Sequence, residues 1–526
     1  MSTTALASRL DQVLLRLPRQ FPGPGGAVAV LREGEVLARH SWGWANAEKR
    51  IAFTPQTLFR MCSITKQFTC ALLLDQFPDP NALDGDLRRF LPHLDAARPG
   101  VLHLCHNQSG LRDYWAVAML LGAPAESPFG DHEAHRLIAS ARSLQFAPGS
   151  RYSYVNQNFR LISDLLQDRT GRSFAELLRA RIFDRGGMEA ALLAAETSAM
   201  PDGTEGYEGT QASGFRPAVN RILWTGDAGL GACLDDMIAW ERHIDATRDD
   251  PGALYNRLAA PVSFADGAPA SYGFGLGRRT EFGRALTGHG GALRGWRSHR
   301  LHVAADRISV VVLFNHLGDA QGAALALLGA ALGEETSSTA SGPGAAVPAP
   351  DWLGAYVEPE TGLSARIDQV AGDEVRLRFG HAAERLALQP DGSAGDGAVR
   401  LRPAPDGLWM DRATENQSSL LRPLAPAGTV LDASGRYRCA ELEAELTLVD
   451  AGGVLYGAFS GPLGAGRMEL LDPVGADVWA LPCPRALDHT PPGDWTLTLQ
   501  RGKASGGVRE VLVGCWLARG LRYEKV

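Results

Sequence analysis

Along the first 330 residues apolar positions recur at two periods. In "MSTTALASRLDQVLLRLPRQ" Leu6, Leu10, Val13, Leu14 and Leu17 fall at helical spacing and predict a helix. "GGAVAVLREGEVLARHSWGWAN" (25–46) carries two apolar runs around Glu33-Gly34 and predicts a β-hairpin. Ile64, Phe68, Ala71 and Leu72 give one apolar face to a helix that opens near Ser63, and Leu73 and Leu74 widen it. A helix apolar most of the way round is buried in a domain core. Phe159, Leu161, Ile162, Leu165 and Leu166 predict a second apolar helix, entered from a Pro-Gly turn at 148–149.

Past residue 350 the pattern changes. "EVRLRF" (374–379), "AELTLV" (444–449) and "WTLTLQ" (495–500) alternate apolar and polar, as strands with one buried face do. Between the two regimes lies a Gly/Pro/Ser/Ala-rich run, 334–350, which reads as a linker. "LGAYVEPETGLSARI" (353–367) and "SGRYRCAELEAELTL" (434–448) both open Gly-x-Tyr, pass an acidic stretch and enter a strand, which suggests a duplication. The expected architecture is multidomain α+β. It has a mixed domain over 1–333 and two small antiparallel barrels or sandwiches over 351–425 and 426–526.

Composition narrows the partners. The 526 residues are 45% hydrophobic and 21% charged, with a net charge of −7 and no long basic stretch, which argues against nucleic acid or an anionic membrane. No apolar run approaches the ~20 residues of a membrane span. Charges interrupt the N-terminal apolar positions, so they do not read as a signal peptide. Seven cysteines without a C-x-x-C pair fit free thiols in a reducing compartment, and the expected location is cytoplasmic. "HEAH" (132–135) is one residue short of the His-Glu-x-x-His spacing, so no metal site is expected.

The candidate chemistry begins at Ser63-Ile64-Thr65-Lys66. Lys66 would neighbour Ser63 on one helix face, and burial would lower its ammonium pKa toward proton-accepting range. An N-capping serine and a surface lysine would give the same pattern. Farther on, Tyr154-Val155-Asn156 stands at a loop-to-helix junction and His289-Gly290-Gly291 precedes a strand pattern. Taken singly, each also fits a structural tyrosine or turn histidine.

As an ordered set these motifs resemble the penicillin-recognising serine hydrolases, the serine beta-lactamase-like superfamily, whose members carry Ser-x-x-Lys, Tyr-x-Asn and Lys-Thr-Gly or His-x-Gly. "LCHNQSGL" (104–111) and "PGSRYSYVNQNF" (148–159) are similar to segments of its class C and esterase branch. With two small barrels behind it, the chain most resembles that superfamily's D-aminopeptidases. The resemblance implies Ser63 as nucleophile, Lys66 and Tyr154 as the proton-relay pair, and Asn156 as an orienting amide. It further implies His289 shaping the site and an oxyanion hole using N–H groups near Gly291 or Ala292. A loop of the last barrel, 479–495, would reach the site, with Asp488 receiving the substrate's α-ammonium. The expected substrate is a small peptide or amide with an N-terminal D-residue, with no cofactor, and the expected assembly is a homodimer. Alternatives on the same motifs are an esterase, a beta-lactamase, a D,D-carboxypeptidase or an inactive binding homologue.

Overall fold

The computed structural model describes residues 3–94, 97–334, 350–380, 382–428, 433–487, 493–502 and 507–526. The first domain is organised by an eight-stranded antiparallel sheet. Its central strands are Gly25–Arg32 and Ile308–Phe314, paired from Gly26↔Phe314 to Arg32↔Ile308. Glu35–Asn46 flanks them on one side, and Trp296–Val303, Arg284–Leu293 and Leu276–Glu281 follow on the other. The predicted hairpin forms, and its turn places Glu33 at φ 56 and Gly34 at φ 76. Left-handed residues at both turn positions suit the twist of the flanking strands.

Alternate side chains of the central strands serve two cores. Val28, Val30, Val310 and Val312 pack under helices Thr3–Gln20 and Ala320–Leu332, through Leu10, Leu17, Leu327 and Leu328. Ala27, Ala29, Val311 and Leu313 face the larger helical side, with Phe68 and Leu72 of helix Thr65–Gln76 and Phe159 and Ile162 of helix Gln157–Thr170. Strands covered on both faces show no alternation, which is why "AVAVL" and "ISVVVLF" read as continuous apolar runs. A fully buried ion pair crosses this core. Arg300 donates from Nε and Nη2 to Glu241 Oε1 and Oε2 at 2.6 and 2.7 Å, and both side chains are fully buried. It ties the strand Trp296–Val303 to helix Leu234–Ala246.

The run read as a linker lies, apart from Glu334 and Pro350, outside the described residues. Beyond it, eight strands from Gly354–Val357 to Gln417–Pro423 form a closed barrel. A ten-stranded antiparallel half-barrel, from Gly435–Cys439 to Ala518–Lys525, completes the chain. The two Gly-x-Tyr segments begin them alike. Tyr356 OH donates to Trp352 O at 2.6 Å and Tyr437 OH to Ala433 O at 2.7 Å, the same four-residue return in each domain.

Both C-terminal domains dock on the first. From the barrel, Asn416 Nδ2 donates to Ser150 O at 3.0 Å, and Glu415 O accepts from Tyr152 N at 3.1 Å. From the half-barrel, Leu517 O accepts from Asp113 N at 3.0 Å and Arg519 O from Arg112 Nε at 2.9 Å. All seven cysteines are buried, free thiols.

Candidate active site

Ser63 sits on one 3₁₀ turn, Cys62–Ile64, from which helix Thr65–Gln76 continues. Cys62 has φ 53, a left-handed backbone that costs a residue with a Cβ about 1–2 kcal/mol. The Thr65 hydroxyl stabilises the turn, donating to Cys62 O at 2.6 Å and accepting from Leu230 N at 3.0 Å. Cys62 and Ile64 are buried, and Ser63 between them opens onto a cleft of about 710 Å³.

Lys66 is fully buried one turn on. Its Nζ donates to Ser63 Oγ at 2.9 Å, Asn156 Oδ1 at 3.0 Å and Asp227 O at 2.7 Å. Three acceptors match the three protons of an ammonium. Burial lowers the Lys66 pKa from 10.5 to about 8, with Asp227 and then Asp113 pulling it back up. Asn156 is held in turn by Asp113, whose Oδ2 accepts from Asn156 N at 2.7 Å and Nδ2 at 2.9 Å. The other oxygen of Asp113 caps helix Tyr114–Leu120, accepting from Trp115 N and Ala116 N at 3.0 and 3.3 Å. Burial raises the Asp113 carboxyl to about 6 against these bonds. Asp227 is buried beside it and accepts from Tyr114 OH at 2.5 Å and Thr225 N at 3.1 Å.

Tyr154 packs its ring 5.0 Å from Lys66 Nζ. Burial pushes its phenol well above the ordinary value of 10, while the Ser63 hydroxyl pulls the other way. Tyr272 and Tyr152 extend the aromatic wall. His289 joins that wall as a neutral ring: burial and then Lys66 lower its pKa to about 3. Its Nδ1 donates to Gly290 O at 2.5 Å, so Nε2 accepts the Tyr272 hydroxyl at 3.0 Å. Gly291 faces Ser298, whose Oγ donates to Met61 O at 3.1 Å behind the Ser63 turn. A Cβ on Gly291 would lie 2.1 Å from Ser298 Oγ and 2.5 Å from Met61 O, so only glycine lets strand and turn approach this closely. The segment His289–Leu293 pairs with Trp296–Arg300 on one side, while the ladder on its other side stops at Gly277↔Gly288.

The structure therefore brings together Ser63, Lys66, Tyr154, Asn156, His289, Gly291 and Ala292 around one cleft. A family model described as Beta-lactamase matches residues 14–334, and one described as D-aminopeptidase, domain B matches 345–524. A D-aminopeptidase of Gluconobacter oxydans (strain 621H) is 59% identical over 531 residues, covering 99% of each chain. The chain belongs to the D-aminopeptidase family. A D-aminopeptidase of Brucella melitensis biotype 2 is 46% identical over 517 residues, 98% of each chain. Among solved structures, the octameric penicillin-binding protein homologue from Pyrococcus abyssi is 19% identical with a TM-score of 0.52, over 80% of this chain and all of that one. The D-amino acid amidase from Ochrobactrum anthropi SV3 is 19% identical with a TM-score of 0.50, over 62% of this chain and 99% of that one. These two share the fold of this D-aminopeptidase family member.

Asp488 lies outside the described residues. The loop leading to it does dock on the first domain. Ala486 O accepts from Arg294 Nη2 at 2.5 Å, and Arg485 pairs with Glu126 and, at 3.2 Å, with Glu208. The half-barrel also enters the cleft where no motif pointed, through Trp516 and Leu517 at the turn between Val508–Cys515 and Ala518–Lys525. Trp516 is braced by the guanidinium groups of Arg519 at 4.9 Å and Arg412 at 5.3 Å. Asp113, Asp227 and Tyr272 were likewise missed. The only signal for Asp113 was its place just before the apolar run "YWAVAML", that of a helix cap. Among the described residues no helix is long and apolar enough to cross a membrane.

Proposed function

We propose that this chain is a D-stereospecific serine aminopeptidase that releases N-terminal D-residues such as D-Ala from amides and short peptides through an acyl-enzyme on Ser63. The observation that carries the reading is the buried contact of Lys66 Nζ with Ser63 Oγ at 2.9 Å. With a pKa near 8, Lys66 is neutral in a usable fraction of molecules at neutral pH. It takes the Ser63 proton as Oγ attacks the carbonyl. Tyr154 stays a protonated phenol. It hands its proton to the leaving amine as the C–N bond breaks and is refilled from Lys66. Water then enters, the relay runs in reverse, and the D-acid leaves.

Backbone N–H groups of Ser63 and of Gly291 or Ala292 receive the developing oxyanion. Losing one such donor costs about 10²–10³ in rate. The edge of His289–Leu293 that pairs with no strand among the described residues gives an extended substrate backbone a place to lie. His289 is neutral and holds Tyr272, so it offers no charge to a substrate carboxylate. Asp488 remains the candidate partner for the substrate ammonium. Seven buried free thiols support a cytoplasmic setting, and a homodimer is the expected assembly, checked by sedimentation.

Initial rates on D- and L-alanine p-nitroanilide, beside a p-nitrophenyl ester and a chromogenic cephalosporin, test the reading. Turnover of the D-anilide, abolished in Ser63→Ala with the fold retained, supports it. Equal rates on both enantiomers, or hydrolysis of the cephalosporin alone, would overturn it.

A further inference from the structure

Several arginines around the first domain's core meet acids, while Arg60 and Arg278 donate to backbone carbonyls. Arg300 pairs with Glu241, Arg160 with Asp131 and Arg294 with Glu126. Arg297 meets no carboxylate within 4 Å among the described residues. Its Nη1 donates to Leu293 O at 2.7 Å and Trp296 O at 2.8 Å, which fixes the guanidinium across the hairpin turn. A guanidinium carries five N–H donors in a rigid fork. The two on Nη1 are used, and those on Nε and Nη2 have no protein acceptor among the described residues and are not sealed from water.

Arg297 lines the same cleft as Ser63 and His289, and it is the direct cross-strand partner of Ala292. Antiparallel partners have Cα atoms about 4.5–5.5 Å apart and carry their side chains on the same face of the sheet. Its charge is felt beside the nucleophile: after burial, Arg297 acts on the Cys62 thiol more strongly than Arg60 or Lys66 does. The acid on the far wall, Asp319, is spent on capping helix Ala320–Leu332, accepting from Gly322 N at 2.9 Å.

We infer that Arg297 is a carboxylate subsite that binds the free C-terminal carboxylate of the leaving residue. The proposal rests on Ser63 being the acylated residue, and it narrows the substrate class to D-aminoacyl dipeptides over amides. In a dipeptide the carboxylate lies one residue past the carbonyl under attack. With that carbonyl oxygen at the Ala292 backbone N–H, the substrate lies along the free edge of His289–Leu293, and the Arg297 side chain, from the strand on the other edge, meets the carboxylate over the Ala292 face of the cleft. The unused edge of the fork, Nε–H beside Nη2–H, suits a planar anion.

The test compares kcat/KM for D-alanyl-glycine with that for D-alanyl-glycinamide, a pair that differs only in the carboxylate. The wild-type ratio is expected well above one. It should fall about ten- to a hundredfold in Arg297→Gln, the range of a charge-assisted contact, and partly recover in Arg297→Lys. A wild-type ratio of one or less, or an unchanged ratio in Arg297→Gln, overturns the inference while leaving the aminopeptidase reading intact. If neither substrate is cleaved, that reading falls and the subsite with it. A measurement on the wild type alone guards against a variant that fails to fold. Glycine should inhibit as a product more tightly than glycinamide, and equal inhibition overturns the subsite.

Discussion

The pH dependence of acylation tests the role of Lys66 most directly. An ordinary lysine titrates at 10.5, and this one is brought to about 8 by burial. The neutral, proton-accepting fraction at pH 7 is then about one in ten, against about one in three thousand without the shift, a gain of roughly 300-fold. The sign follows from which form is competent: the amine accepts the Ser63 proton and the ammonium does not. Acylation should therefore rise about tenfold per pH unit well below 8 and level off above 9. Substrates with an α-amino group titrate in the same range, so the assay uses a neutral fluorophosphonate and follows its rate of attachment to Ser63 from pH 5.5 to 10. Asp113 supports the ammonium, so Asp113→Asn should move the rising limb to lower pH. A rate that is flat from pH 6 to 10, or that rises only above 10, would refute Lys66 as the base.

Three further outcomes follow from named contacts. Gly291→Ala should reduce kcat by at least about a hundredfold, because the added carbon meets Met61 O and Ser298 Oγ and pushes the strand off the Ser63 turn; near-normal turnover would show that this close approach is not needed. Trp516→Ala should raise the ratio of activity on D-phenylalanine amide to that on D-alanine amide, since it removes an aromatic wall of the cleft, and an unchanged ratio would remove Trp516 from substrate contact. Arg300→Met should lower unfolding stability by about 3–5 kcal/mol in chemical denaturation, because Glu241 is left buried without its partner, and a loss below 1 kcal/mol would contradict that account.

The parts legible in the sequence were those with a local signature. The helix after Ser63 announced itself by being apolar most of the way round, the hairpin at 25–46 by Glu33-Gly34, and the two C-terminal domains by alternation and a repeated Gly-x-Tyr. Ser63, Lys66, Tyr154 and Asn156 were found because their spacing is itself a pattern, and the hydrogen bonds of Lys66 now join three of them. Asp113 and Asp227 escaped because a carboxylate that anchors a buried amide looks, in one dimension, like a cap or a turn aspartate. Trp516 escaped for another reason. Its place in the cleft is set by a docking contact between residues 404 positions apart, Asp113 and Leu517, and no period or motif spans such a distance.

That contact also sets a timetable. During synthesis the Ser63 turn, Lys66 and Tyr154 emerge early, but the acceptor for Asp113 N is the carbonyl of Leu517, 404 residues farther on. Until the half-barrel is made, the carboxylate that orients Asn156 hangs from a backbone missing one of its bonds, and the cleft lacks the wall that Trp516 supplies. A chain cut before the half-barrel carries Ser63 without the finished pocket. The fold thus joins completion of the proposed site to synthesis of the half-barrel.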